Sequence, residues 1–136
     1  MANSQSIGVA YLDQDIIGAQ YIFSNEQIGY GTAAQGSVTQ ATDKGTGVTL
    51  NKSAGQITMN GAALAGNTAV TFTLTNSLIS AKDVIILNVG SVGTAGAYTC
   101  YVSSLAAGSA VLALRNLTSG SLSEAVVINY AIIHGQ

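Results

Sequence analysis

The sequence predicts an all-β protein, a single jelly-roll-like β-sandwich of about eight strands preceded by an N-terminal extended arm. β-branched residues and apolar–polar alternation of period two recur from residue 37 onward, and both are strand signals. The strand-like segments follow one another at a spacing of roughly 8–12 residues, which is typical of sandwiches and barrels. No segment of about ten residues with a 3.6-residue apolar period separates them, so alternating α/β folds are disfavoured.

The strand pattern is clearest in Thr68–Asn76, where Val70, Phe72 and Leu74 share one face and threonines occupy the other. A threonine face is typical of a solvated or interface-facing sheet surface. The segment Asp83–Val89 has a continuous apolar centre, which predicts burial on both faces. The full set of predicted strands is Ser37–Ala41, Val48–Asn51, Gln56–Asn60, Thr68–Asn76, Asp83–Val89, Tyr98–Ser103, Ser109–Asn116 and Glu124–Ile133.

Glycine, asparagine and serine must make the turns, because the chain has 16 glycines and no proline. Residues 61–66 are too few for a stable isolated helix, so we expect one helical turn or a compact loop there. The length of 136 residues suits one domain. We therefore divide the chain into an arm, residues 1–36, and a sandwich domain, residues 37–136.

The chain has few charges: charged residues make up 7% of it, against about 25% in ordinary soluble domains. Its surface must therefore consist largely of Ser, Thr, Asn and Gln, which provide little charge repulsion between copies. We expect neighbouring subunits to cover much of that surface. The net charge is −2, with four basic residues that do not cluster, so the basic stripe that nucleic-acid binding requires is missing.

The arm differs from the rest of the sequence, because its apolar residues stand singly or in pairs between polar residues and glycines. Tyrosine and phenylalanine are enriched at the centres of protein interfaces. We therefore predict that the arm packs on the domain or on a neighbouring subunit; the alternative is that it supplies ordinary edge strands. The predicted contact residues are Tyr11, Leu12, Ile16, Ile17, Tyr21, Ile22, Phe23, Ile28 and Tyr30.

Residues that could carry catalysis or bind a metal are scarce. One histidine, His134, and one cysteine, Cys100, cannot form the ligand cluster that a metal needs. A serine triad would need His134 as the base with Glu124 or Asp83 behind it, and no nucleophile-elbow or P-loop pattern occurs. We predict Cys100 to be a small buried hydrophobe. We expect no enzyme activity, no cofactor and no metal.

The N-terminal residues have neither the basic start nor the apolar stretch of a signal peptide. No apolar run approaches the roughly 20 residues that a membrane-spanning helix needs. We therefore expect synthesis in a cytoplasm and no membrane partner.

Four stretches in a fixed order resemble a family of small structural proteins of tailed-phage virions. They cover most of residues 36–134 and contain no catalytic motif, while the arm lies outside the resemblance. The stretches are Gly36–Lys44, Gly47–Gly66, Phe72–Asn88 and Leu114–Ile133.

The resemblance implies a virion protein made in the host cytoplasm, similar to the cement or decoration proteins of phage capsids. Such proteins are homotrimers that bind the major capsid protein, bridge capsomers and stabilise the head. The alternative is a tail-fibre module that binds a host receptor or glycan. That alternative predicts an exposed groove in which Tyr98, Tyr101 or Tyr130 stacks on sugars. Since Tyr98 and Tyr101 point to opposite faces of one strand, at most one of them is expected in the core.

Overall fold

The computed structural model describes residues 18–135, which form a two-layer β-sandwich of eight strands. The predicted fold class is confirmed, and each predicted strand is present with ends shifted by a few residues. A short 3₁₀ helix, Thr32–Ala34, precedes the first strand. The strands are β1 (Gln35–Thr39), β2 (Val48–Thr49), β3 (Ala54–Thr58), β4 (Ala69–Thr75), β5 (Val84–Ser91), β6 (Tyr98–Ala106), β7 (Ser109–Asn116) and β8 (Val127–Ile133).

The strands divide into two sheets of four. Sheet A has the order β1-β3-β8-β5, and sheet B has the order β2-β4-β7-β6. Each sheet contains one parallel pair, β1 with β3 and β2 with β4, while the other neighbouring strands pair antiparallel. The sequence did not predict the parallel pairs. In each sheet the first strand along the chain, β1 or β2, lies at an edge and pairs parallel with the next strand of that sheet, β3 or β4.

The core lies between the sheets and follows the period-two pattern. On β4, Phe72 and Leu74 point inward and are buried while the alternating threonines are exposed. On β8, Ile128, Tyr130 and Ile132 are buried in the same phase. These inward residues form one continuous apolar cluster with those of the other strands, so the alternation places the core where the sequence predicted it.

Two glycines make room for the largest side chain at the sheet A side of the core. Gly36 and Gly55 are register partners on β1 and β3, and Gly55 pairs with Tyr130 on β8. A Cβ at Gly55 would lie 2.7 Å from the Gly36 carbonyl oxygen, 2.8 Å from Leu50 Cδ2 and 3.1 Å from Tyr130 Cε1. Glycine at this position therefore lets the Tyr130 ring and Leu50 pack against the backbone.

Buried amide side chains hold the loops that connect the strands. Asn116, fully buried at the end of β7, donates from Nδ2 to the carbonyl oxygens of Leu64 at 3.0 Å and Gly120 at 2.8 Å. Asn76, also fully buried, donates to the Lys52 carbonyl at 2.7 Å. Residues 61–66 form a compact loop, one of the two predicted alternatives, pinned by an isolated bridge between Leu64 and Leu122.

Strand β1 begins at Gln35, so the last two residues of the predicted arm belong to sheet A. In residues 18–135, no helix has the length and hydropathy needed to cross a membrane.

Candidate assembly interface

The arm residues that the sequence singled out are solvent-exposed wherever the structure describes them. Four are largely exposed: Tyr21 at 71%, Ile22 at 60%, Phe23 at 87% and Ile28 at 79%. The fifth, Tyr30, is 36% exposed. The predicted contact residues Tyr11, Leu12, Ile16 and Ile17 lie outside the described residues.

Two aromatic rings of the arm are stacked on each other. The ring centroids of Tyr21 and Phe23 lie 5.9 Å apart with an interplanar angle of 24°. Side chains two residues apart lie on the same side of an extended segment. The arm therefore presents two aromatic rings on one side, in the spacing of a β-strand.

The arm is fixed to sheet A at its root. The Tyr30 hydroxyl donates to the Ile132 carbonyl on β8, and Gln35 Nε2 donates to the Tyr30 carbonyl at 2.7 Å. Lys52 Nζ donates to the Ala33 carbonyl at 2.8 Å in the 3₁₀ helix. The Ile132 N–H donates to the Ser53 carbonyl oxygen at 2.8 Å, just before β3. The N–H and the carbonyl of one strand residue point toward the same neighbouring strand. The Ile132 carbonyl therefore faces β3, and the root of the arm lies on the β3 side of β8.

A second exposed apolar surface lies on the outer face of sheet A. We call it the β5 patch and define it as Val84 and Ile86 on β5 with Ile133 on β8. Val84 pairs with Ile133 in the β5–β8 register. The three side chains are 58%, 52% and 54% exposed, respectively.

The β5 patch corrects one prediction. The sequence predicted that Asp83–Val89 is buried on both faces, and this is wrong: Ile85 is buried while Val84 and Ile86 are exposed. The reason is that the fold has two layers, so sheet A is covered by sheet B on its inner face, and no described element covers the outer face of β5. A short continuous apolar run looks the same in the sequence whether both faces of the strand are buried or, as in β5, only one face is buried.

A shallow polar groove of about 480 Å³ lies over β1, β3 and β8, toward the edge of sheet A that is opposite β5. Its polar lining includes Gln35, Ser37, Gln56 and Asn129. The Asn129 Oδ1 atom is buried and has no hydrogen-bond partner among the described residues. Gln35, Ser37 and Gln56 are exposed, so these three residues offer uncharged hydrogen-bonding groups to a ligand in the groove.

None of the three tyrosines proposed for sugar stacking presents an exposed ring to the groove. Tyr98 is buried and Tyr101 is 46% exposed, in agreement with the prediction that at most one of them lies in the core. Tyr130 lines the groove, but it is buried too. The exposed candidate, Tyr101, belongs to β6 in sheet B, so it does not border the groove in sheet A.

His134, Asp83 and Ser80 come together at the start of β5. His134 Nδ1 lies 3.1 Å from Asp83 Oδ2, but the Ser80 hydroxyl donates to Asp83 Oδ1 at 2.7 Å and not to the imidazole. A hydrogen bond from the Ser80 backbone N–H is the largest of the contacts that lower the Asp83 pKa to about 2. The carboxylate also accepts from Gly135 N–H at 3.0 Å, so Asp83 ties the segment after β8 to the turn before β5.

Lys44 is a buried cation in the turn after β1. It is 3% exposed, and its Nζ donates to the carbonyls of Asn60 and Glu124. Burial lowers the Lys44 pKa, and the nearby Glu124 charge opposes that shift. Lys44 therefore pins the turn after β1 to two other loops.

Glu124 completes this polar cluster. Its Oε1 accepts from the Thr94 hydroxyl at 2.6 Å, a contact that contributes most to lowering its pKa. Its Oε2 and the Tyr98 hydroxyl are buried and have no hydrogen-bond partner among the described residues. Burial raises the Tyr98 pKa, with a further contribution from Glu124.

In residues 18–135, no group of three or more His, Cys, Asp or Glu side chains could hold a metal ion. A scan against protein-family models, a search of curated proteins and a search of solved structures each found no match to this chain. The exposed apolar and aromatic side chains of the arm and the β5 patch make these two surfaces the strongest candidate site, as an interface.

Proposed function

We propose that this chain is a structural protein of a tailed-phage virion, a capsid cement protein that binds the outer shell and bridges capsomers. Its partners would be the major capsid protein and further copies of itself, in a homotrimer. Its location would be the virion after synthesis in the host cytoplasm. Support comes from the resemblance of residues 36–134 to phage virion proteins, the low charge and the exposed apolar surfaces.

The observation that carries the proposal is the exposure of aromatic side chains in the arm of a chain whose sandwich already has a complete core. Phe23 is 87% exposed and stacks on Tyr21. Burying one such side chain contributes about 1.5–3 kcal/mol, and aromatic residues often dominate binding energy at interfaces. A contact with another protein would gain this energy, whereas an isolated chain leaves it unused.

The location can be tested by quantitative mass spectrometry of purified particles of the encoding phage. A cement protein predicts a copy number comparable with that of the major capsid protein. A small number of copies would indicate a tail fibre, and absence from the particle would refute the virion role.

The role of the arm can be tested with a truncation that removes residues 1–28 and keeps Tyr30 and its bond to Ile132. We expect this variant to lose binding to shells that lack the protein while its thermal unfolding remains cooperative. The matched control replaces Thr71 and Thr73, exposed on sheet B, with serine and should bind normally. Normal binding by the truncated protein would refute the arm as the contact.

A tail-fibre module that binds a glycan is the second candidate, and the polar groove favours it. Gln35, Gln56 and Asn129 present uncharged donors and acceptors, as sugar hydroxyls require. Binding of the purified protein to a glycan array, lost in a Gln56→Ala variant, would support this candidate. Loss of binding in a Tyr101→Ala variant instead would place the sugar on sheet B.

A further inference from the structure

Strand β5 is an open edge. It is the last strand of sheet A and pairs with β8 alone among the described strands. Exposed edges are normally protected by charged residues, proline, a bulge or a covering element. The residues from Val84 to Ser91 include no charge and no proline, and the register shift lies at the far end, between Val89 and Ser91. Strand β6 of the facing sheet packs against β5, but Val84 and Ile86 in the first half of β5 are exposed, and that half is where another strand can be added.

The arm contains a segment suited to that edge. Residues 20–23, Gln-Tyr-Ile-Phe, are rich in the aromatic and β-branched residues that favour strands. Tyr21 and Phe23 stack on one side of the segment, and Val84 and Ile86 share the outer face of β5 with the same two-residue spacing. A strand paired with β5 would bring these side chains next to each other as cross-strand neighbours.

The charges at the two surfaces are complementary. Glu26 is the single charged residue between residues 18 and 42. Lys82 is exposed two residues before β5 begins. Within residues 18–135 the one ion pair joins His134 to Asp83, so among these residues neither Glu26 nor Lys82 forms an ion pair.

We infer that residues 20–23 of one copy add as an antiparallel strand to the open edge of β5 in a second copy, with Phe23 beside Val84, Tyr21 beside Ile86 and Glu26 near Lys82. A second copy is the occupant because every chain carries both an exposed strand-forming segment and an exposed apolar edge, with Glu26 and Lys82 beside them. Such contacts are head-to-tail and can close into a ring, as a homotrimer requires. The inference rests on the proposed assembly role and identifies the site where the arm binds.

Cysteine cross-linking tests this pairing. Two proteins are mixed under mild oxidation, one carrying Phe23→Cys and the other Val84→Cys, both with Cys100→Ala to remove the native thiol. We expect a disulfide-linked dimer of the two different chains on a non-reducing gel. The control replaces Val84→Cys with Thr73→Cys, which lies on the outer face of sheet B, and should give only a background level.

Equal cross-linking with both partners would overturn the inference, as would a Phe23→Cys/Val84→Cys chain that cross-links within itself at high dilution. Glu26→Lys should lower the yield roughly 1.5- to 5-fold, the range expected for an exposed ion pair. Lys82→Glu in the partner should restore it. If particles contain the protein but the cross-link fails, the docking site alone is wrong. If the cross-link forms in a protein absent from particles, the virion role fails instead.

Discussion

The sandwich and the arm use the same residue types in opposite ways. Phe72 is 3% exposed on β4, whereas Phe23 is 87% exposed in the arm. The contrast recurs between adjacent residues of β5, where Ile85 is 8% exposed and Ile86 is 52% exposed. The sandwich side chains stabilise the single chain, while the arm and the β5 patch leave apolar surface for a contact. Changes in the two regions should therefore affect different measurements.

The largest loss of stability is expected from the centre of the sandwich. Leu112 on β7 is fully buried in the core cluster, so Leu112→Ala should lower the free energy of unfolding by about 2–5 kcal/mol. Chemical denaturation followed by circular dichroism measures the change. A loss within about 0.5 kcal/mol, as at ordinary surface sites, would show that the core is not where the fold places it.

A smaller loss is expected from filling the space beside Tyr130. Gly55→Ala would place a Cβ 2.7 Å from the Gly36 carbonyl oxygen, and such overpacking typically costs about 1–3 kcal/mol. The matched control is Gly61→Ala, where no atom lies within 4 Å of the added Cβ. Equal stability of the two variants in thermal unfolding would contradict the close packing of β1, β3 and β8.

The third expected effect depends on pH. The Asp83 pKa is lowered from 3.8 to about 2, so folding favours the ionised carboxylate. The resulting stabilisation is complete well above pH 3.8 and is lost as the pH falls toward 2. Unfolding measured across this range should show a steeper decline in the wild type than in Asp83→Asn. Parallel curves would mean that Asp83 does not hold the segment after β8.

The smallest effect on stability, and a clear effect on association, is expected at the β5 patch. Ile86→Thr should change the free energy of unfolding by no more than about 0.5 kcal/mol and should weaken self-association in light scattering. Ile85→Thr, at the buried neighbouring position, should show the opposite pattern. If Ile86→Thr leaves association unchanged, the patch is an ordinary exposed surface.

Much of the sandwich could be predicted from the sequence, because alternation in β4 and β8 directly identifies the face that is buried. The parallel pairs and the edge position of β5 could not, because they depend on which strands become neighbours. The same limit applies to Lys44 and Asp83. Both lie in or beside turns of the structure, and packing between loops that are distant in the sequence buries them.

Of the two surfaces of the candidate interface, the sequence predicted the arm and did not predict the β5 patch. Exposed aromatic residues in a polar, glycine-rich arm are visible in the sequence, and Tyr21, Ile22, Phe23 and Ile28 are exposed as a contact segment requires. The β5 patch was missed because its apolar run has no alternation that would separate a covered outer face from an open one. Contacts by Tyr11, Leu12, Ile16 and Ile17 stay a prediction.

The central position of β8 has a consequence for biosynthesis. β8, Val127–Ile133, lies between β3 and β5 in sheet A, so neither β5 nor the β1–β3 pair can join the sheet until these late residues have left the ribosome. Sheet B, whose last strand ends at Asn116, can pair earlier in translation. Until β8 inserts, the apolar inner face of sheet B lacks its cover, and aggregation is most expected in that interval. Faster or slower translation of residues 117–133 would then change the yield of soluble protein without any change in the folded state.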